Sequence, residues 1–118
     1  MEIKVYKYLF DITDSIEIIE NHLLRISSLT EYTNDLKTID AVERRLSIIG
    51  EALNKAVKLN TQLEITNKSK IIGLRHILIH NYDVLDDATI WTITQKDLPV
   101  LKNEVELLLK NYDGSSIN

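Results

Sequence analysis

Apolar residues recur along this chain at steps of three and four, the spacing that places side chains on one face of a helix. The first series, Val5, Leu9, Ile12, Ile16, Ile19, Leu23 and Ile26, predicts a long amphipathic helix from about Ile3 to Leu29. A polar stretch, "SSLTEYTNDLKT", interrupts the pattern. A second series then runs through Ile39, Val42, Leu46, Ile49, Leu53 and Ala56 and predicts a helix that pairs with the first as an antiparallel hairpin. Gly50 falls inside this second stripe, where glycine is about 1 kcal/mol worse than alanine. Its presence is explained if a neighbouring backbone comes close.

"NTQLEITN" ends the second helix, and Asn67 is placed to cap a third whose apolar positions are Ile71, Leu74 and Leu78. Asp86 can cap a short helix containing Ile90 and Trp91. Asp97 can cap the last helix, leaving Pro99 in its first turn, where a missing N–H is harmless. That helix displays Leu101, Val105, Leu108 and Tyr112. Strand-like alternation is absent, and three glycines and one proline are few interruptions for 118 residues. The expected fold is all-α: an antiparallel bundle of four to five helices forming a single domain over residues 1–112, with a frayed tail at 113–118.

Composition narrows the function. A net charge of −4 and a pI near 5.3 argue against coating nucleic acid through bulk charge, so any polynucleotide contact must be local. The absence of cysteine excludes disulfides and thiolate metal sites and suits a reducing compartment. The opening "MEIKVYKYLF" interleaves charges with apolar residues, unlike a signal peptide, and no apolar run is long enough to span a membrane. A soluble, cytoplasmic protein is expected.

The third helix holds the chemistry. "LRHILIHNY", residues 74–82, places an arginine, two histidines and a tyrosine within nine positions. Histidine exchanges a proton near neutrality, as cleavage of RNA without a metal requires. Arginine offers a fork of donors to phosphate oxygens. Tyr82 could stack on a base or donate a hydrogen bond. Arg75 and His80 are nevertheless five positions apart, about 140° around an ideal helix, so a straight helix does not set them side by side. Either the helix loosens near its end or a second copy of the chain completes the site. His76 and His80, four apart, share a face.

Between Lys55 and His80 the cations Lys55, Lys58, Lys68, Lys70 and Arg75 meet only Glu64, a local basic patch in which Lys68 and Lys70 are candidate RNA contacts. Asp83, Asp86 and Asp87 follow at once and would oppose phosphate unless they point elsewhere. Two plainer readings stand beside this one. The motif can be a polar cap at a helix C-terminus, where cations are favoured by about 0.3–1 kcal/mol. His76 and His80 can also be read as an H-x-x-x-H metal pair, although no third ligand is placed nearby.

"RHILIHNY" resembles the R-x4-H-x-Y signature of HEPN domains, the higher eukaryote and prokaryote nucleotide-binding helical domains, in their HepT-like toxin subgroup. "DAVERRLSIIGEALNKA" is similar to the subgroup's second helix and "WTITQKDLPVLKNEVELLL" to its closing segment, so the resemblance covers about residues 1–112. It implies a metal-independent endoribonuclease without a cofactor, the toxin of a two-gene toxin–antitoxin pair, cutting transfer or messenger RNA. By position it implies Arg75 and His80 as the catalytic pair, with His76 in a slot that often holds Asn or Asp. It further implies that Tyr82 accepts AMP from a cognate minimal nucleotidyltransferase antitoxin, and that homodimers bring two motifs to one cleft. Glu51 is either a solvent-facing glutamate or, if it faces the motif, a group that orients Arg75 or His76; Trp91 is expected to fill the core. The competing functions are a non-catalytic nucleotide- or partner-binding helical dimer, and a structural dimer whose motif is a polar interface.

Overall fold

In a computed structural model, which describes residues 2–80 and 85–116 without the side chains of 112–116, the chain is all-α. Helix α1 spans Ile3–His22, α2 Leu29–Thr33, α3 Leu36–Leu59, α4 Lys68–His80, α5 Asp87–Thr92 and α6 Leu98–Ser116, with a π-helical turn, Ile93–Asp97, between α5 and α6. Among the described residues there is no strand.

The two long stripes form the core as the spacing predicts. Val5, Leu9, Ile12, Ile16 and Ile19 of α1 and Val42, Leu46, Ile49, Leu53 and Ala56 of α3 are fully or almost fully buried. The pair is antiparallel: Tyr8, near the start of α1, lies beside Lys55, near the end of α3. Helix α3 sits between α1 and α4, and α6 packs on α1. Ile71 and Leu74 of α4 and Ile90, Ile93, Leu101 and Val105 of the last helices complete the cluster. Trp91, partly buried, packs against it with its ring 5.6 Å from that of Tyr32.

Two boundaries differ from the periodic reading. Helix α1 stops at His22 rather than Leu29, and Leu23 and Ile26 are only partly buried. The cause is a reciprocal cap inside the polar stretch: Ser28 Oγ accepts from the Glu31 amide at 3.2 Å, while Glu31 Oε2 accepts from both the amide and the hydroxyl of Ser27 at 2.7 Å. These bonds start α2 and oblige the chain to turn before it. The short helix buries Tyr32 completely.

The second difference lies at Asp97. It caps nothing, because α5, the π turn and α6 run on as one helix from Asp87 to Ser116. Pro99 is therefore inside a helix, where its ring would strike the carbonyl of Gln95 in regular α geometry. Gln95 belongs to the π turn, whose wider coil shifts that carbonyl. Asp97 is thereby freed for another role: Oδ2 pairs with Lys70 Nζ at 2.6 Å, and Oδ1 accepts from Asn67 Nδ2 at 3.4 Å. Asn67 does stand directly before α4, its carbonyl accepting the Ile71 amide at 2.9 Å, while its side chain serves this interhelical link. Asp86 caps α5 as expected, accepting from the Thr89 amide at 2.8 Å.

Candidate functional site

Gly50 is where α3 and α4 come together backbone to backbone. A Cβ at this position would lie 2.8 Å from the Ile71 carbonyl oxygen and 3.0 Å from the Arg75 Cβ. No larger residue fits without moving α4. The close approach that the glycine implied is present, and it carries a consequence one residue along the helix. Glu51 is brought level with Arg75, and Glu51 Oε2 contacts Arg75 Nε. Glu51 Oε1 also lies 3.7 Å from Lys55 Nζ, one turn further on. The carboxylate thus sits between two cations, partly exposed at 33%, and Arg75 remains 40% exposed.

Arg75 opens into a groove of about 520 Å³ between α1, α3 and α4. Tyr8 of α1 and Ile79 of α4 stand on its walls, together with Lys7, Asp11, Arg44, Ser47, Glu51 and Lys55. Lys7, Arg44, Lys55 and Arg75 outnumber Asp11 and Glu51, so the groove is positive on a chain of net charge −4. The ammonium groups of Lys7 and Lys55 stand 5.5 and 5.8 Å from the centre of the Tyr8 ring. Of these groups, Lys7, Tyr8 and Arg44 carry no signal in the sequence that sets them beside the motif, because they reach it only through the crossing of α1 over α3.

His76 and His80 are exposed on α4, with ring centroids 4.8 Å apart and planes tilted by 47°. Neither lines the groove that holds Arg75. The helix is regular through His80, so the angular separation of Arg75 from His80 persists within one chain. Among the described residues no three metal-ligating side chains are grouped around this pair. Lys68 and Lys70 lie at the opposite end of α4: Lys70 is paired with Asp97, and Lys68 borders a hollow that also contains Glu64 and Glu104. Tyr82 and Asp83 lie outside the described residues, as does the side chain of Tyr112.

Asp86 and Asp87 do not line the groove. Asp86 is engaged by the amide and side chain of Thr89, which hold its carboxyl below the ordinary aspartate range. Asp87 lies near Glu43 and Tyr32, where its charge adds to the effect of burial in raising both pKa values. No helix of the described residues is long and apolar enough to cross a membrane.

The family model described as "Ribonuclease HepT-like" matches residues 12–108. The chain is similar to "Probable ribonuclease HepT" of Thermococcus cleftensis, 35% identical over 107 residues that cover 87% of this chain and 94% of that protein. It is also similar to "Putative RNase MJ1380" of Methanocaldococcus jannaschii, 34% identical over 107 residues covering 88% of this chain and 95% of its relative. No solved structure matches with significance. The chain belongs to the HepT-like ribonuclease family.

Proposed function

We propose that this member of the HepT-like ribonuclease family is a metal-independent endoribonuclease and the toxin of a two-gene toxin–antitoxin pair. The observation that carries the reading is an accessible arginine, oriented by Glu51, at the edge of a positive groove and on the same helix as an exposed histidine. Arg75 holds the scissile phosphate of RNA and offsets the charge that grows on its oxygens. His80 takes the proton of the neighbouring ribose 2′-OH. The 2′-oxygen then bonds to phosphorus, the bond to the 5′-oxygen breaks, and the protonated His80 returns its proton to that leaving oxygen. His76, its ring tilted against that of His80, steadies it.

Because Arg75 and His80 face different ways on one regular helix, the working site is assigned to a homodimer in which two copies of α4 face one cleft. Silencing is assigned to Tyr82, two residues beyond His80. A cognate minimal nucleotidyltransferase antitoxin transfers AMP from ATP to its hydroxyl and releases pyrophosphate. The bound adenylate blocks the cleft and offers its phosphate to Arg75, so inactivation needs no refolding.

Cleavage of total RNA in the presence of EDTA tests the enzyme reading. Cutting by the wild type that is indifferent to chelator and abolished in both His80→Ala and Arg75→Ala is the expected result. Intact RNA under these conditions would instead favour the non-catalytic reading, a nucleotide- or partner-binding helical dimer. Incubation with the antitoxin and ATP should add the mass of AMP, and Tyr82→Phe should remove that addition.

A further inference from the structure

The groove beside Arg75 contains more than an anion site. One of its walls is an aromatic ring, Tyr8, presented by α1, and two ammonium groups, from Lys7 and Lys55, stand over that ring. Lys55 also reaches Glu51, the residue that holds Arg75, so the aromatic surface is linked to the arginine through two intervening side chains. Arg44 faces the same space from α3. A phenol ring interleaved with exposed cations is what single-stranded nucleic acid needs: a flat face for a base and charges for the phosphates that flank it.

We propose that Tyr8 is a base-stacking subsite for a nucleotide of RNA next to the phosphate held by Arg75, with Lys55 and Arg44 contacting the flanking phosphates. The proposal rests on the ribonuclease reading for the identity of the ligand. Its geometric basis is independent of that reading.

Charge supports this seat over the basic stretch at the start of α4. Lys70 already has a carboxylate partner at 2.6 Å, and Lys68 borders a hollow with Glu64 and Glu104. In the groove, by contrast, the cations outnumber the acids, and Asp11 is already 3.7 Å from Lys7. The two lysines stand near the outer limit of a cation–π contact with Tyr8, a weak hold that an entering base can replace while the ammonium groups turn to its phosphates.

The test uses a fluorescently labelled hexanucleotide of mixed sequence with 2′-O-methyl riboses, which cannot be cut by attack of a 2′-hydroxyl. Its binding to the full chain is followed by anisotropy over a range of salt. Tyr8→Ala should weaken binding about tenfold, the scale of one lost base stack, whereas Tyr8→Phe should stay close to the wild type. Lys55→Ala should weaken binding and lower the slope of log affinity against log salt by about one. Lys37→Ala, the same change of charge at the other end of α3, should do neither. If Tyr8→Ala loses its helical circular dichroism, Tyr8→Leu, which fills more of the space, and Lys55→Ala carry the test.

Unchanged affinity in Tyr8→Ala, or in Tyr8→Leu where that variant carries the test, overturns the subsite, as do equal losses in the Lys37 and Lys55 variants. So does a wild type that does not bind the hexanucleotide. Cleavage of natural RNA is measured alongside. A wild type that cuts RNA but binds without regard to Tyr8 removes the subsite and leaves the enzyme standing. One that binds through Tyr8 but cuts nothing keeps the subsite and removes the enzyme.

Discussion

Arg75 and Glu51 meet across the contact between α4 and α3, directly beside the glycine that allows those helices to close. The pairing fixes which way the guanidinium points. An isolated arginine on an exposed helix face would sample many rotamers, whereas one with its Nε held by a carboxylate presents its terminal nitrogens in a narrower arc. The motif on α4 thus depends on a residue twenty-four positions earlier in the chain.

Glu51→Gln should separate orientation from stability. Partly exposed ion pairs contribute about 0.2–1 kcal/mol, so thermal unfolding should move by no more than a few degrees. RNA cleavage should fall about tenfold or more through kcat, because a misplaced group loses transition-state contact. Arg75→Lys should not restore activity, since an ammonium lacks the fork that can hold both Glu51 and a phosphate. Full activity of Glu51→Gln in a steady-state assay would contradict the orienting role.

Gly50→Ala should destabilise the protein even though alanine is the better helix former by about 1 kcal/mol. The added methyl meets the backbone carbonyl of Ile71 at 2.8 Å, and backbone yields less readily than a side-chain tip. Overpacking of this kind costs about 1–3 kcal/mol, so denaturant unfolding should shift to lower concentration. Activity should fall further than stability, because displacing α4 draws Arg75 away from Glu51.

Asp97→Ala should loosen the start of α4. The carboxylate joins the π turn to both Lys70 and Asn67 and is only 15% exposed. Removing a charged hydrogen-bonding partner in such a place is expected to cost about 1.5–3 kcal/mol. Lys70→Met should cost less, because Asn67 still satisfies one carboxylate oxygen. Equal melting temperatures for wild type and Asp97→Ala would exclude this link as a stabilising one.

Glu43→Gln should stabilise the protein at neutral pH. Burial raises the Glu43 pKa, and the charges of Asp87 and Asp40 raise it further. A carboxyl whose folded pKa lies above its unfolded value binds more protons when folded, so its ionisation opposes folding. The penalty is full above the folded pKa and fades as pH falls through the window between the two values. Wild type should therefore trail Glu43→Gln in Tm at pH 7 and approach it as the medium is acidified toward the ordinary glutamate range. A constant gap across that range would assign the difference to packing.

The amino-acid pattern alone determined the all-α class, the two long buried stripes, the cap at Asp86 and the segment that carries the candidate residues. These are properties of neighbours in sequence: helical spacing fixes which side chains share a face, and a cap is made within one turn. The pattern over-extended α1 because the Ser27–Ser28–Glu31 bonds are few and local, while the apolar spacing continues through Ile26. It assigned Asp97 to a cap because the Asp–x–Pro spelling fits a helix start; the alternative, a π turn running into a continuous helix, is selected by packing on α1 and by the pairing with Lys70.

Only the tertiary structure decided what Arg75 faces. Its contact with Glu51, the resulting link to Lys55, and the placing of Tyr8 and Arg44 on the same groove all follow from how three helices cross. Crossing angle and register are set by the sum of many interhelical contacts, none of which is written in the residues beside the motif. Gly50 is the exception that shows the rule: a missing side chain signals that something approaches, and the fold alone says that it is the backbone bearing Arg75.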